Sequence, residues 1–422
     1  MKRSKRQNPF TRVLLWMKGV GLIRIGVVMA IAGVGGYLSF AAAVAGVTRS
    51  RNPAAALQFV PFEGVALAKQ ADLFFLTSPE DPPAIVAQLA RRSLRSQAIN
   101  PRALRLLGYT FAQNDRTAEA RTFIELAVQQ SRREPGAQLW LVQQAAVGSD
   151  LTMAIGHIDI LLRTRPSSET VLFPILVSGL PDPQFRSLLR QYMNKPPPWL
   201  ANFLSFAITN TTDLPPLVRL FEESRGFPNS DVAAGQARQL MGRLHDAGQF
   251  AALRRIYLLM PNADAFRLRD ARFDKSDINE DFGIAGWQAF DVADAGAHIV
   301  VEGEHSDLQM QVYVNPSITR QVASKLLYLE PARYTVTTTI SEADAGVGGR
   351  MSWQLRCPTR EAGGRPWTGR IAGNTSRLLF TVPADCPVQF LDLIASGGDG
   401  QTGLDATIAS VQLSPAGSAH SR

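Results

Sequence analysis

Three patterns of apolar and polar residues follow one another along this chain. Ile25 to Val47 is an uncharged apolar run of 23 residues, and roughly 20 residues are enough to cross a hydrocarbon core of about 30 Å. From there to about residue 275, Leu, Ala, Arg and Gln recur with helical spacing. After residue 275, apolar residues alternate with polar ones between Gly, Pro and Asp turns. The pattern predicts a transmembrane helix, then a helical domain, then a β-domain.

Basic residues before the apolar run predict its orientation. Because the positive-inside rule keeps such residues in the cytoplasm, we expect residues 1–24 to be a basic cytoplasmic tail and residues 25–47 a single inner-membrane span. The bulk of the chain is then periplasmic. One alternative stays open, since Ala43-Val44-Ala45 before Gly46 fits a signal-peptide cleavage pattern. The seven basic residues are Lys2, Arg3, Lys5, Arg6, Arg12, Lys18 and Arg24.

The same tail explains the formal net charge of +8. Removing its seven basic residues from the 44 Lys and Arg leaves 37, against 36 Asp and Glu. Phosphate binding needs a clear excess of positive charge. The exported part therefore has no electrostatic basis for a nucleic-acid partner.

A 34-residue repeat begins at Pro101 in the helical part. Small residues at fixed positions let two antiparallel helices approach, and larger ones fill the space around them. A second copy follows 34 residues later, a third includes Leu240 and Gly248, and residues 67–100 fit loosely as an earlier copy. The packing positions of the first two copies are Leu104, Leu107, Gly108, Phe111, Ala120, Ile124, Ala127, Ala154, Ile158 and Leu161.

This pattern resembles the tetratricopeptide repeat (TPR) family over residues 101–168. The resemblance implies an α-solenoid whose surface binds another protein. Prolines interrupt the register between Glu169 and Asn229 and predict short helices there. We expect a linker at residues 48–62 and one TPR-like helical repeat domain at residues 63–275.

The last third predicts an antiparallel β-sandwich over residues 276–415, followed by a disordered tail at residues 416–422. Nine short strands in about 140 residues favour two packed sheets. The predicted strands are 287–291, 297–301, 308–314, 323–329, 334–341, 350–357, 377–382, 388–395 and 406–413. The first and last of them resemble those of galactose-binding-like jelly rolls, which include many carbohydrate-binding modules; the resemblance implies a jelly-roll fold.

Both cysteines of the chain, Cys357 and Cys386, lie in this sandwich. On the exported side of a membrane disulfides persist, and a loop of this length contributes about 3 to 4 kcal/mol in the chain-entropy model. We expect a structural disulfide. No matched histidine pair accompanies the two cysteines, so they do not form a zinc site.

Motifs for catalysis and cofactor binding are missing from the sequence. It contains no nucleophile elbow, phosphate loop, dinucleotide fingerprint or metal-binding histidine pair. His298 and His305 have no marked third partner. We expect no enzyme activity, no cofactor and no catalytic residue. One alternative is a structural calcium ion held by carboxylates at the sandwich ends, although solvated turns explain them as well: Asp277, Glu280, Asp281, Asp291 and Asp405.

Aromatic residues in polar surroundings are candidates for glycan contact, because sugars stack their apolar faces on such rings. Trp287 and Trp353 fit core positions, and Tyr313, Tyr328 and Tyr334 are further available aromatic residues. Trp367 lies in a polar, glycine-rich stretch beside Arg365 and Arg370. These three residues are the predicted glycan site.

Two functions fit the sequence. The first is a non-enzymatic, membrane-anchored periplasmic scaffold or adaptor, whose helical repeats bind a protein partner in envelope assembly. The alternative is a polysaccharide-binding protein that acts through its sandwich in the assembly or export of a glycan. In both functions residues 25–47 anchor the protein in the membrane, and neither involves a nucleic-acid partner.

Overall fold

The computed structural model describes residues 9–77, 84–228, 230–302, 307–345, 347–358, 366–399 and 401–416. The chain divides into two compact units, Met1–Ser168 and Glu169–Arg422. Helices make up the first unit, and the second contains further helices and both β-sheets. The predicted order of helix before sandwich is therefore observed, while the predicted domain limits stay a prediction.

Eight helices form the described part of the first unit. Proline begins three of the seven helices that follow the first, where its missing N–H is not needed. The side chains of Asn52, Asn100 and Asp150 cap helices by accepting a hydrogen bond from a backbone N–H of the first turn. The helices are α1 (Pro9–Thr48), α2 (Pro53–Phe59), α3 (Gly64–Thr77), α4 (Ala84–Ser96), α5 (Pro101–Ala112), α6 (Thr117–Gln130), α7 (Pro135–Val147) and α8 (Leu151–Thr164).

The helical hairpins recur with the predicted spacing. Helices α5 and α7 begin 34 residues apart, and so do α6 and α8. Of the ten packing residues named from the sequence, nine are buried. The tenth, Phe111, is half-buried and stacks on Phe123 with ring centroids 5.1 Å apart. Gly108 permits close approach of α5 and α6, since a Cβ there would lie 2.7 Å from Ile124.

Helix α1 contains the predicted span. Arg24–Thr48 is, within the described residues, the one helix long and apolar enough to cross a membrane. Its side chains from Ile25 to Val47 are mostly exposed. Near its end, however, Ala45 is buried against Ala56 of α2. The segment predicted as a linker thus contains a helix that packs on the apolar one.

Seven helices open the second unit. Prolines lie in the first turn of two of them, at Pro183 and at Pro215, as predicted from the broken register. The helices are α9 (Glu169–Gly179), α10 (Pro183–Asn194), α11 (Leu200–Asn210), α12 (Leu214–Glu223), α13 (Ala233–Asp246), α14 (Phe250–Leu258) and the single turn α15 (Lys275–Ile278).

Eleven described strands form the sandwich: β1 (Trp287–Ala289), β2 (Asp291–Val292), β3 (Ala295–Glu302), β4 (Asp307–Val314), β5 (Thr319–Leu327), β6 (Arg333–Ala345), β7 (Arg350–Arg356), β8 (Trp367–Arg370), β9 (Thr375–Thr381), β10 (Gln389–Ser396) and β11 (Leu404–Pro415). One sheet has the order β1-β5-β10-β7-β8 and the other β2-β3-β4-β11-β6-β9, with antiparallel pairing throughout. All nine predicted strands are present. The first is split into β1 and β2, and β8 is an additional strand.

The core lies between the two sheets. Trp287 and Trp353 meet there with ring centroids 5.9 Å apart, and the indole of Trp353 donates to the hydroxyl of Thr338 at 2.8 Å. Thr338 lies on the inward face of β6, as the alternation of that strand predicts. The Cys357–Cys386 disulfide is confirmed, with Cα atoms 5.6 Å apart.

Helices α13 and α14 pack against the outside of the five-stranded sheet. The ring of Phe390 on β10 contacts His245 and Phe250 at 5.5 and 6.0 Å. Tyr328 donates its hydroxyl to the carbonyl of Phe250 at 2.7 Å. These contacts bury Phe390, so this sheet has helices on part of its outer surface.

Candidate functional site

The two described residues of the predicted glycan site, Trp367 and Arg370, do not share one exposed surface. Strand β8 pairs Trp367 with Leu355, and Gly369 with the core residue Trp353. Directly opposed residues share a face of the sheet, so Trp367 points into the sandwich. It is half-buried and contacts Phe380, with centroids 5.3 Å apart.

Of the two arginines predicted beside that ring, the described one is not its neighbour on the same surface. Arg370 lies on the face opposite Trp367, because side chains alternate along a strand. Arg365 lies outside the described residues. The expectation of an exposed stacking tryptophan is therefore corrected: its strand position turns the ring inward.

Two of the five carboxylates predicted as calcium ligands, Asp277 and Asp291, accept hydrogen bonds within the chain. Asp277 is buried and accepts hydrogen bonds from the backbone N–H groups of Asp274 and Trp287, at 2.8 and 3.1 Å. Asp291 accepts one from Tyr313. Across the described ranges, no group of three His, Cys, Asp or Glu residues has the arrangement of a metal site.

A broad polar surface covers the outside of the six-stranded sheet. The inward residues of β3, β4 and β11 are apolar and buried, so the residues between them face outward. We call this surface the outer face, and define it by Gly296, His298, Gln309, Gln311, Tyr313, Glu342, Asp344, Asp405 and Thr407. It combines two rings, two amides, three carboxylates and a hydroxyl.

Tyr313 is fixed in position on this outer face. Its hydroxyl donates to the carboxylate of Asp291 and lies 2.8 Å from the carbonyl oxygen of Val292. The ring lies over Gly296, where a Cβ would come within 2.7 Å of the ring carbon Cε1. A glycine at this position is therefore required for the ring to lie against the sheet.

His298 continues the aromatic surface. Its ring is nearly parallel to that of Tyr313, at 18° and 6.2 Å between centroids. Its Nε2 is 3.6 Å from the carboxylate of Asp291. His305, the histidine considered with it in the sequence, lies outside the described residues.

The side chains of the outer face are neutral or negatively charged. The hydrogen bond to Asp291, together with partial desolvation and the charge of that carboxylate, raises the pKa of Tyr313. The phenol consequently stays protonated and neutral at physiological pH. Of the residues that define the outer face, Glu342, Asp344 and Asp405 are acidic and none is Lys or Arg. The surface offers acceptors for hydroxyl groups rather than a positive site for anions.

A second concavity lies between α14 and the sandwich. It has a volume of about 730 Å³ and is lined mainly by apolar groups, including Phe250, Leu258 and Val388. The guanidinium of Arg254 lies 5.7 Å from the ring centroid of Tyr328 on its wall. Its hydrogen-bonding side chains are Gln249, Arg254, Arg255 and Tyr328, so this cleft has none of the carboxylates of the outer face.

Sequence reasoning named Tyr313 as an available aromatic residue but did not select it. The signal was present in β4, where Met310, Val312 and Val314 alternate with Gln309, Gln311 and Tyr313. Alternation assigns the second set to solvent. It does not reveal that β3 brings Gly296 and His298 alongside.

Comparisons with known proteins give structural likeness only. No protein-family model and no curated protein matches the chain. A structure of TmCBM61 in complex with beta-1,4-galactotriose has a TM-score of 0.25 and 13% identity, over 34% of this chain and 99% of that one. A carbohydrate-binding module described as CBM4 has a TM-score of 0.20 and 13% identity, over 35% and 88%.

A tailspike protein domain from Bacteriophage CBA120 has a TM-score of 0.24 and 11% identity, over 34% of this chain and 21% of that one. The carbohydrate-binding modules match the C-terminal part, which holds the sandwich. At these TM-scores and identities the likeness carries no argument about a ligand.

Proposed function

We propose that this protein is a non-enzymatic, membrane-anchored glycan-binding protein whose ligand lies on the outer face of the six-stranded sheet. The observation that carries the proposal is the fixed ring of Tyr313 over Gly296, held by Asp291. A ring immobilised before binding loses little conformational freedom when a sugar stacks on it.

Polar groups around the ring suit the hydroxyls of a sugar. Amides such as Gln311 both donate and accept hydrogen bonds, and carboxylates such as Asp405 accept them. Because the residues that define the outer face include three carboxylates and no Lys or Arg, we expect neutral glycans to bind better than uronic-acid polymers. Like charges opposed across an interface weaken binding.

The anchor in this proposal is α1. Its Arg24–Thr48 segment has a mean hydropathy of 2.0, with exposed apolar side chains. The helix continues past the signal-peptide motif to Thr48, and Ala45 of that motif is buried against Ala56. Helical, packed residues are poor protease substrates, which supports an uncleaved anchor with the sandwich on the exported side.

The test is a glycan array probed with the full-length chain in detergent, including neutral and uronic-acid polysaccharides. We expect neutral polysaccharides to bind and the variant Tyr313→Ala to lose that signal. Absence of any signal above that of Tyr313→Ala would contradict the proposal.

A second candidate is protein docking on the helical hairpins of the first unit. Its support is the 34-residue recurrence of α5 to α8, since repeated hairpins stack into surfaces that suit partner chains. Crosslinking in intact membranes, followed by purification of the full chain, tests it. We expect a defined partner crosslinked to the first unit; retention of no such partner would count against this role.

A further inference from the structure

We propose that the apolar turn Phe59–Phe62 inserts into the lipid bilayer beside α1, at the boundary between headgroups and acyl chains. We call these four residues the apolar tip. The proposal rests on the proposed membrane anchor and adds a second lipid contact to it. The occupant of this exposed surface is lipid, because the tip is continuous with the apolar flank of the anchor helix.

Helix α2 folds back along the end of α1. Ala45 of α1 packs on Ala56 of α2. Further down, the rings of Phe40 and Phe59 meet edge to face, with centroids 6.1 Å apart. Phe40 precedes the end of α1 at Thr48 by eight residues, which is about 12 Å along a helix axis. Phe59 is therefore level with the apolar part of the anchor rather than with its polar end.

The composition of the apolar tip matches this depth. Its residues are Phe59, Val60, Pro61 and Phe62, with no polar side chain among them. Phe59 is 36% exposed and Phe62 is 69% exposed. Exposed apolar groups that adjoin an apolar span are typical of contact with lipid.

Backbone groups at the tip are suited to a poorly hydrated site, where unbonded N–H and C=O groups are costly. Val60 donates its N–H to Ala56 at 2.9 Å, and Glu63 donates to Val60 at 3.0 Å. Pro61 has no N–H, and its carbonyl accepts a hydrogen bond from the guanidinium of Arg92 at 3.3 Å. The turn thus has few polar groups left that need water.

Basic residues flank the tip at the level expected for headgroups. Arg49 and Arg51 follow α1 directly and are exposed. Arg49 is 3.5 Å from Glu63, which also caps the next helix through the N–H of Ala66. Exposed guanidinium groups bind phosphate, so a bilayer that contains anionic phospholipid fits this edge.

The test is electron paramagnetic resonance of spin labels in proteoliposomes of zwitterionic and anionic phospholipid. Single cysteines replace Phe62 in the tip, Leu38 in the anchor and Val147 at the end of α7, which is 83% exposed. The two native cysteines form the disulfide and do not take the label. Accessibility to oxygen, which partitions into lipid, is compared with accessibility to a water-soluble nickel chelate.

We expect the oxygen-to-nickel accessibility ratio at Phe62→Cys to exceed that at Val147→Cys several-fold and to approach that at Leu38→Cys. A ratio at Phe62→Cys equal to that at Val147→Cys, with Leu38→Cys in lipid, overturns the apolar tip and leaves the anchor intact. Water-like ratios at both Phe62→Cys and Leu38→Cys overturn the anchor as well. Unchanged thermal unfolding midpoints verify that the labelled variants are folded.

Discussion

The hydroxyl of Tyr313 on β4 donates a hydrogen bond to Asp291 on β2, across the intervening strand β3. Gly296 lies on that intervening strand beneath the tyrosine ring. The bond and the glycine together hold an aromatic ring against a polar sheet surface before any ligand is present.

Replacing Tyr313 should weaken glycan binding. Tyr313→Ala removes the ring, and aromatic stacking is worth about 0.5–1.5 kcal/mol, so affinity should fall by a factor of up to about ten. Tyr313→Phe keeps the ring but loses its bond to Asp291, so we expect a smaller loss. Isothermal titration with a glycan selected from the array measures both affinities.

Arg370→Ala is the matched control for these variants. Arg370 lies on the outer surface of the other sheet, opposed to Ser352, so the substitution should leave affinity unchanged. A larger loss from Arg370→Ala than from Tyr313→Ala would move the glycan site to β8.

Gly108→Ala should destabilise the first unit. A Cβ at this position would lie 2.7 Å from Ile124 and 3.1 Å from the carbonyl of Ala120. Overpacking of this kind costs about 1–3 kcal/mol. Hydrogen–deuterium exchange in α5 and α6 measures the change, and we expect protection to fall.

We expect the opposite change in stability from Gly156→Ala in α8. No atom lies within 4 Å of the Cβ that it would add, and alanine favours a helix over glycine by roughly 0.5–1 kcal/mol. Protection should therefore rise slightly. Equal effects of the two substitutions would show that packing at Gly108 is looser than the structure has it.

Local patterns predicted the elements of this chain well. The apolar run, the 34-residue spacing and strand alternation depend on residues near one another in sequence. The two cysteines were paired correctly because there was one possible pair. What these patterns lack is the register between strands that are distant in sequence.

Trp367 shows why strand register matters for predicting exposure. Glycine-rich, polar neighbours in the sequence suggested an exposed ring, but β8 pairs with β7 and thereby turns the ring onto Phe380. Tyr313 shows the converse, since its site depends on residues from β2 and β3. Neither position follows from local composition.

Arg105→Ala should strongly destabilise the first unit. The buried guanidinium of Arg105 on α5 lies 2.8 Å from Glu134 and 2.5 Å from Asp72 on α3. Removing it leaves two mostly buried carboxylates without this partner, and breaking a buried ion pair costs about 3–5 kcal/mol. Hydrogen–deuterium exchange should show loss of protection in α3, α5 and α7.

Arg163→Ala is the control. Arg163 pairs with Asp159 on α8, and 45% of the Arg163 side chain is exposed. Exposed pairs contribute at most about 1 kcal/mol. Comparable loss of protection in the two variants would contradict the assigned role of Arg105.

Loss of the proton from Lys325 should make the second unit more stable as the pH rises above 8. Its ammonium group is buried in the sandwich and donates to the carbonyl of Ala285 at 3.1 Å. Burial lowers the pKa of Lys325 from 10.5 to about 8, although Asp277, Asp270 and Asp274 raise it; Arg267 lowers it further.

The direction follows from proton binding in the two states. Between pH 8 and about 10.5 the unfolded chain keeps the proton on Lys325 and the folded chain releases it, so the free energy of unfolding rises through this window. The difference in pKa corresponds to about 3 kcal/mol. Below pH 8 both states carry the charge, and the full cost of burying it remains.

Lys325→Met removes the titrating group at similar volume. Denaturant unfolding followed by tryptophan fluorescence at pH 7.5, 8.5 and 9.5 should give a stability that rises with pH in the wild type relative to the variant. This range stays below pH 10. Burial raises the pKa of Tyr328, so above pH 10 the unfolded chain loses that proton first and the free energy of unfolding falls with pH. If the free energy of unfolding depended on pH in the same way in both proteins, Lys325 would be hydrated in the folded state.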